Sequence, residues 1–395
     1  MSRISHTFKT RPITHSTKLT GERCQWEFNI VSKHIEKIET LNLQGIIRVA
    51  VTASSVLVWL LSSSCTADPI VPKEGLFLVS ATVESTPVPS GDDAADDPAI
   101  WVNPSNPKDS RILGTDKQGG LQILDLNGQE LEYLQLGKVN NVDLRSNPYE
   151  NDNTLIVATR REPSQLILLS LDHSSSDVDP LQHFDLQLET PYGICAAVID
   201  AKLYAIVNDK DGTFHQYFID REMQLSLVRS WKTETQPEGC VVDDENEVIY
   251  LGEEESAIWS LDAAPTEKPL LQLFARVGSG KLVADIEGIS LYQTKERTLL
   301  IASSQGSSSY SVFNTADSSF VGAFSIVDNK MGLKIDGTSD TDGIAVSSQT
   351  LPGFEGGLFV AQDGENTVAT KNGSMNENQN FKFVPWQAIS RALGL

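Results

Sequence analysis

Cysteine, histidine and the common nucleotide-binding motifs are scarce or missing in this chain. Four of its 395 residues are cysteine and six are histidine, and no CxxC or paired Cys/His spacing indicates a zinc site. The GxSxG, P-loop and Rossmann fingerprints are absent at the strand–helix junctions that they require, which argues against those enzyme classes. Cys195 and Cys240 lie in apolar, strand-like runs, so we expect buried free thiols there, with a disulfide as the alternative.

Positive charge is also in short supply. The chain has 31 Lys and Arg against 53 Asp and Glu. Residues 1–64 hold 8 of the basic and 4 of the acidic residues, which leaves 23 basic and 49 acidic residues from Cys65 onward, a net charge of −26. Such a field repels nucleic acid and anionic membrane surfaces. It suits a soluble, secreted protein or one that holds divalent cations, and we expect a monomer that binds no nucleic acid.

Long apolar runs are rare, and the clearest one is short for a membrane span. Residues 46–61 read IIRVAVTASSVLVWLL, which fits the core of a signal peptide. The following LSSSC resembles a bacterial lipoprotein cleavage site ending at Cys65, so we interpret 46–65 as a lipoprotein-like signal segment with a lipid anchor at Cys65. Residues 1–45 are then a non-native or disordered extension. This places the remainder in the cell envelope (periplasm or outer membrane) or the medium of a bacterium; a plain N-terminal anchor helix is the alternative.

Short apolar runs recur along the chain with a fixed spacing. One series ends each run in a polar residue, and its members are Asp125, Asp172, Asp220, Asp262 and Asn314. A second series opens each unit, and its members are Asp97, Asp143, Tyr192, Glu238, Glu287 and Asp342. Two markers with one period of roughly fifty residues indicate repeated four-stranded units. We therefore predict an all-β fold for residues 75–395, a six-bladed β-propeller with four-stranded antiparallel blades, rather than a pair of β-sandwiches.

The second series has a consequence for charge. If its six residues open the innermost strand of each blade, they surround one mouth of the central channel. Five of the six are carboxylates, and like charges at one mouth are costly unless cations lie among them. Oxygen ligands without Cys or His select a hard cation, Ca²⁺ before Mg²⁺ or Mn²⁺.

Several longer motifs resemble the β-propeller phytases. They are DDPAIWVNP (96–104), NNVDLR (140–145), ADIEGI (284–289), ASSQGSSSY (302–310), KIDGTSDTDGI (334–344) and FVAQDGEN (359–366). The resemblance implies a secreted, calcium-dependent, six-bladed enzyme that hydrolyses phytate (myo-inositol hexakisphosphate), free or as calcium phytate, to lower inositol phosphates and phosphate. It further implies direct attack by a calcium-held water, without a covalent phospho-enzyme.

The resemblance also implies roles for individual residues. The catalytic calcium ligands correspond to Asp96, Glu238, Glu254, Asp285, Glu287 and Asp342. A structural calcium is expected around Asp97, Asp336, Glu365 and Asn366. The phosphate-binding residues correspond to Lys117, Arg161, Tyr192 and Lys210, with Arg160 as the alternative to Arg161. Among these, Glu238, Asp285, Glu287, Lys117 and Lys210 are the predicted catalytic residues. Gln118 departs from the family, which carries a second basic residue there.

Two other functions are compatible with the same residues. A calcium-stabilised extracellular binding module would retain the structural site around Asp336 but would have no need for Lys117, Arg161 and Lys210 beside the carboxylates. A hydrolase of other phosphoesters would retain both the structural site and these three cations. At the C-terminus, WQAISRALGL (386–395) has helical spacing and predicts a short helix packed on the last blade.

Overall fold

The computed structural model describes residues 75–395 apart from 266–267, 279, 331 and 371–372. The predicted extension at 1–45, the signal segment at 46–65 and the lipid anchor at Cys65 lie outside the described residues. Within the described part of the chain, no helix is long and apolar enough to cross a membrane.

The described strands form seven sheets: six are the blades, and the seventh is a two-stranded hairpin within blade 6. Every neighbouring pair within a blade except one runs antiparallel. Strands β1 (Leu76–Val79) and β2 (Val83–Glu84) precede the blades. Blade 1 contains β3 (Ala95–Trp101), β4 (Arg111–Asp116), β5 (Gly120–Leu124) and β6 (Glu130–Gln135). Blade 2 contains β7 (Val139–Ser146), β8 (Asn153–Arg160), β9 (Gln165–Asp172) and β10 (Val178–Asp185). Blade 3 contains β11 (Pro191–Ile199), β12 (Lys202–Asp209), β13 (Thr213–Ile219) and β14 (Leu225–Lys232).

The second half of the chain repeats the pattern. Blade 4 contains β15 (Pro237–Asp243), β16 (Val248–Glu253), β17 (Ala257–Asp262) and β18 (Gln272–Arg276). Blade 5 contains β19 (Ile286–Gln293), β20 (Thr298–Ser304), β21 (Ser309–Asn314) and β22 (Phe320–Ile326). Blade 6 contains β23 (Ile344–Ser347), β24 (Leu358–Asp363) and, after the hairpin β25 (Thr367–Thr370) and β26 (Gly373–Asn376), strand β27 (Asn380–Pro385).

The first strands of the six blades form the wall of the central channel. Each contacts the first strand of the next blade, and β23 contacts β3, which closes the circle. The predicted six-bladed β-propeller is confirmed. Strand β2 pairs with β27 and supplies the fourth strand of blade 6, while β1 adds to β22 in parallel as a fifth strand of blade 5. The ring is therefore closed by residues that precede blade 1 in the sequence.

The core lies between the blades rather than inside any one of them. The buried apolar side chains of residues 75–395 that the structure describes form six clusters, and each joins two neighbouring blades. Trp101 of blade 1, for example, belongs to the same cluster as Ile156 and Leu169 of blade 2. Because each central strand is covered on both faces, runs such as β9 are almost continuously buried, whereas the outermost strand β6 is largely exposed.

The predicted C-terminal helix is present as α1 (Trp386–Leu393). Trp386 and Ile389 are buried and belong to the cluster between blades 5 and 6. The helix ends at Gly394, whose φ of 72° is the left-handed conformation that glycine favours at helix C-termini. Two short 3-10 helices, Pro107–Asp109 and Gln305–Ser307, are also present among the described residues.

Candidate active site

The innermost strands of blades 1 to 5 share an irregularity near their start. In each, the pairing to the second strand shifts by one residue, which defines a β-bulge. The first bulged residue has the same place in every blade, and Asp342 has the corresponding place before β23. These equivalent residues, which we call the bulge ring, are Asp96, Asn140, Tyr192, Glu238, Glu287 and Asp342.

In blades 3, 4 and 5 the second bulge residue is glycine, which lets neighbouring inner strands approach each other closely. A Cβ atom on Gly193 would lie 1.9 Å from the carbonyl oxygen of Glu238, and one on Gly239 would lie 2.1 Å from that of Glu287. No side chain fits such a gap, so the backbone can come this close only at glycine. The bulge-ring residues of blades 3 to 6 are therefore drawn close together.

A second set of equivalent residues surrounds the bulge ring. Each directly follows the second strand of its blade, and we call this set the outer ring: Lys117, Arg161, Lys210, Glu254 and Gln305 in blades 1 to 5. Blades 1, 2 and 3 thus contribute cations, whereas blade 4 contributes a carboxylate and blade 5 an amide. The mouth has a basic side and an acidic side.

The register corrects two members of the predicted mouth series. Asp97 stands one residue after the bulge-ring position, which Asp96 occupies, and Asp143 stands three residues after Asn140. Asp97 accepts a hydrogen bond from the backbone N–H of Val142 at 3.0 Å, and so ties blade 1 to blade 2. The bulge ring therefore holds four carboxylates, not the five of six that the sequence spacing suggested.

Asp143 belongs to a different part of the channel. Its carboxylate accepts from the backbone N–H of Ala196 at 2.8 Å and pairs with Arg145, which also bonds Asp244 of blade 4. These groups line a channel cavity of about 960 Å³, whose walls do not include the carboxylates of the bulge ring. The spacing of the repeat is not accurate to within three residues, so the sequence could not distinguish Asp97 and Asp143 from the bulge-ring positions.

Three carboxylates converge on the acidic side of the mouth. Single carboxylate oxygens of Glu238, Glu254 and Glu287 all lie within 4.8 Å of one another. Glu238 accepts from the side-chain amide of Asn140 at 3.2 Å, and Glu254 accepts from that of Gln236 at 2.7 Å. The bulge ring and the outer ring together thus create a compact oxygen-donor cluster, which we call the carboxylate cluster.

Burial dominates the electrostatics of these carboxyl groups. It raises the pKa of Glu287 to about 8, and the charges of Glu254 and Asp342 add to the effect. Burial also raises the pKa of Glu238 well above its usual value, with Glu287 as the next cause, and it raises the pKa of Glu254. Anionic carboxylates at such positions need a neighbouring cation to offset the loss of hydration.

Lys117 supplies one such cation on the basic side. Its Nζ lies 2.8 Å from Asp342, 2.8 Å from Asp93 and 3.3 Å from Asp96. Burial alone would lower the Lys117 pKa, but the charges of Asp96 and Asp342 outweigh it and raise that pKa. The Asp96 pKa is nevertheless raised well above its usual value, because burial of its carboxyl exceeds the opposing effect of Lys117.

The other predicted phosphate-binding residues lie at the same side of the mouth. The Lys210 ammonium stands 3.9 Å from the centre of the Tyr192 ring, a cation–π contact that orients both side chains. Arg161 donates to the carbonyl oxygen of Lys117 at 3.1 Å. Arg160 instead donates to Leu136, and it belongs to strand β8 rather than to the outer ring. The geometry favours Arg161 over Arg160 at the mouth.

Asp285 and Gln305 connect the two rings in blade 5. Asp285 directly precedes β19 with a φ of 58°, and its carbonyl oxygen accepts from the backbone N–H of Gln305 at 2.8 Å. The Gln305 side-chain amide in turn donates to Asp342. Asp285 also lies beside Glu255, and its charge raises the pKa of that carboxyl. Asp285 is therefore placed at the rim, next to Glu254, while Gln305 fixes Asp342.

The donor set fits a hard divalent cation. Among the described residues, Asp96 Oδ1 and Glu287 Oε2 are buried without a hydrogen-bond partner, which is costly for a carboxylate oxygen unless another positive group satisfies it. The cluster of Glu238, Glu254 and Glu287 offers oxygen ligands and no nitrogen or sulfur. Such ligands are the ones that Ca²⁺ prefers.

The residues predicted to hold a structural calcium are distributed differently. Asp336 and Asn366 meet around the buried ammonium of Lys382, which also contacts Glu84 and Asp363. Glu365 is exposed, and Asp97 bonds to blade 2 instead. Because Glu84 belongs to β2 and Lys382 to β27, this charge cluster fastens the closing strand of blade 6. A calcium ion at this place stays a prediction.

The expectation of free thiols is wrong. Cys195 and Cys240 form a disulfide, with their Cα atoms 5.6 Å apart. The two residues lie in β11 and β15, the neighbouring inner strands of blades 3 and 4, and Cys240 follows Glu238 by two residues. Cys195 follows Gly193 by two residues and Cys240 directly follows Gly239. The close approach of the two inner strands at these glycines brings the cysteines together. The sequence showed the apolar runs but not this pairing.

Asn140, Gln305 and Lys382 were missed by sequence reasoning as contributors to these clusters. For Gln305 a signal existed, because it directly follows the second strand of its blade, as the other outer-ring residues follow theirs. This common position can be recognised only when the ends of the strands are known. Lys382 lies in a strand of buried residues, where a lysine without a partner is rare. That exception pointed to a buried charge cluster.

Comparison with known proteins agrees with this geometry. The family model described as Phytase matches residues 47–395. The chain is 38% identical over 360 residues to the 3-phytase of Bacillus subtilis (strain 168), with 87% of this chain and 92% of that protein covered.

Solved structures with similar backbones have much lower identity. Virginiamycin B lyase from Staphylococcus aureus matches with a TM-score of 0.45 at 11% identity, over 76% of this chain and 97% of that chain. A functionally unknown protein from Desulfotomaculum acetoxidans matches with a TM-score of 0.43 at 15% identity, over 57% and 70%. The family model and the curated relative, by contrast, extend over the whole propeller, and this chain belongs to the phytase family.

Proposed function

We propose that this enzyme, a phosphoric monoester hydrolase of the phytase family, removes phosphate groups from phytate at the mouth formed by the bulge ring and the outer ring. The observation that carries the proposal is the division of this mouth. Lys117, Arg161 and Lys210 lie on the side of blades 1 to 3, and the carboxylate cluster lies on the side of blades 4 and 5. A polyanionic substrate and its counter-cations would each find a complementary side.

The basic side would bind and orient the substrate. Lysine and arginine donate charge-assisted hydrogen bonds to phosphate oxygens, and three such residues at one rim can hold more than one phosphate group. The Tyr192 ring limits the positions open to the Lys210 ammonium. Arg161 is fastened through Lys117, so the two cations would act on one substrate region. Pre-positioned donors of this kind lower the cost of ordering the site during reaction.

The acidic side would hold calcium. Glu238, Glu254 and Glu287, with Asp96, Asp285 and Asp342 at their margin, are the residues that would bind it. Calcium, when bound there, would offset the negative charge of the phosphate and activate the attacking water. Asn140 and Gln236 keep the carboxylates of Glu238 and Glu254 oriented through their amide hydrogen bonds. Gln305 does the same for Asp342.

The proposal is tested by phosphate release from phytate in excess chelator and after calcium is restored. We expect activity to vanish and then return. Glu238→Gln and Lys210→Ala should each lower activity strongly. Glu245→Gln serves as the matched control, because Glu245 is an exposed carboxylate in the turn after strand β15. Hydrolysis that persists in chelator, or wild-type rates in both variants, would contradict the proposal. Comparing phytate with simple phosphomonoesters decides the substrate class.

We also propose that the enzyme works outside the cytoplasm as a secreted or envelope-attached protein. The disulfide between Cys195 and Cys240 supports this, because such bonds persist in oxidising compartments. The apolar segment at 46–61 and the cysteine at 65 support it from the sequence. Mass spectrometry of the mature N-terminus, together with cell fractionation, would show whether processing occurs at Cys65.

A further inference from the structure

The surroundings of Lys117 carry a further inference about substrate affinity. A lysine ammonium has three N–H donors. At Lys117 three carboxylates face these donors: Asp342 and Asp93 at 2.8 Å, and Asp96 at 3.3 Å. A phosphate oxygen that is to bond this ammonium must therefore replace one of the three.

The three carboxylates differ greatly in exposure. The side chains of Asp96 and Asp342 are 1% and 12% exposed, whereas that of Asp93 is 74% exposed. Removing a buried carboxylate from its cation leaves an unpaired charge in a poorly hydrated place, which is strongly unfavourable. An exposed carboxylate is rehydrated as soon as it leaves. Asp93 is thus the partner that a phosphate would displace.

The backbone around Asp93 is held so that its side chain covers Lys117. The Gln118 side-chain amide donates to the carbonyl oxygens of Gly91 and Asp93, at 2.9 and 3.1 Å. Asp92 has a φ of 60°, which turns the chain sharply between these two carbonyls. Gln118 anchors the segment that contains Asp93, and it directly follows Lys117 in the sequence. The anchor of the segment and the cation that Asp93 covers are therefore neighbours on the backbone.

We propose that Asp93 is an intramolecular competitor of phosphate for Lys117, held in register by Gln118. Before substrate binds, its carboxylate satisfies the third donor of the ammonium. Substrate phosphate displaces it, and after cleavage it returns and helps to release the product phosphate. Asp93 is here an affinity-determining residue that acts through Lys117. The inference rests on the proposed function, which assigns Lys117 to the substrate site.

The test is the Asp93→Asn variant of the full chain, with Asp92→Asn as the matched control. Both changes remove one negative charge from the same exposed segment, but of these two residues it is Asp93 that forms the ion pair with Lys117. Because the Asp93 carboxylate is 74% exposed, its pairing with Lys117 is screened by water, and we expect Asp93→Asn to lower the KM for phytate by about two- to five-fold. The inhibition constant of inorganic phosphate should fall by the same factor, and Asp92→Asn should change neither.

A direct binding measurement separates a change in phosphate affinity from a change in the rate of turnover. Titration calorimetry with inorganic phosphate on the calcium-loaded protein should show the same tightening in Asp93→Asn. Gln118→Ala should tighten phosphate binding in wild type but not further in Asp93→Asn, because both changes release the same contact. Equal behaviour of Asp93→Asn and Asp92→Asn, or weaker phosphate binding in Asp93→Asn, would overturn the inference. Unchanged phosphate binding in Lys117→Met would instead refute the proposed function's assignment of Lys117.

Discussion

The disulfide between Cys195 and Cys240 allows a quantitative prediction about stability. The bond closes a loop of 45 residues and links the inner strands of blades 3 and 4. In the chain-entropy model, closing a loop of this length lowers the entropy of the unfolded chain enough to stabilise the fold by about 4 kcal/mol at 25 °C. We therefore expect the double variant Cys195→Ala/Cys240→Ala to lose about that much free energy of unfolding.

The assay is equilibrium unfolding in guanidinium chloride at fixed calcium concentration, since a ligand that binds only the folded state shifts the midpoint. Double replacement with alanine avoids the additional cost of burying a serine hydroxyl. Adding reductant should lower the free energy of unfolding of the wild type to a value near that of the double variant. The double variant should not respond to reductant, so it controls for other effects of the reductant. Because the sequence also contains Cys24 and Cys65, alkylation of peptides containing Cys195 and Cys240 must be mapped before and after reduction.

Two results would refute the reasoning. Alkylation of both cysteines without reductant would show that no bond forms. A mapped disulfide combined with a double variant within about 1 kcal/mol of wild type would show that loop entropy is not what the bond contributes. A larger loss than 5 kcal/mol, beyond the usual range for such bonds, would indicate that the bond also maintains the packing between blades 3 and 4.

Three further predictions concern the clusters and turns that hold the ring together. Lys382→Met should lower the free energy of unfolding, measured in urea, by about 3–5 kcal/mol, because Asp336 and Asp363 would lose a buried counter-charge. A variant as stable as wild type would show that these carboxyl groups need no cation. Gly239→Ala should lower the free energy of unfolding by at least about 1–3 kcal/mol and should reduce activity, because the new Cβ would collide with the backbone of blade 5. A melting temperature identical to that of wild type would contradict this prediction. Hydrogen bonds from Ser174 and Ser175 lower the pKa of Asp172 from 3.8 to about 2. The ionised Asp172 carboxylate therefore stabilises the fold above pH 3.8, and this stabilisation is lost as the pH falls through 2. The stability difference between wild type and Asp172→Asn should therefore narrow from pH 6 to pH 2, and a constant difference would exclude this titration as the cause.

The repeat could be predicted from the sequence because each blade buries its central strands on both faces. Runs such as QLILLSLD between polar turns therefore recur with the length of one blade, and their period gave the six-bladed fold. The motifs around Glu238, Glu287 and Asp342 were visible for the same reason, since each combines a polar residue with the glycine that close strand approach requires.

Three features were decided only by the tertiary structure. The bulge register moved the mouth position by one residue, from Asp97 to Asp96, and by three residues, from Asp143 to Asn140. A shift by an odd number of residues turns a side chain to the other face of a strand. The pairing of Cys195 with Cys240 depended on the distance between two blades. The contact of Asp93 with Lys117 depended on how a loop folds over its neighbour. The sequence by itself thus determined which chemistry each blade carries, through local periodicity and composition. The tertiary structure decided which of those groups meet, because contacts between blades join residues that no local pattern relates.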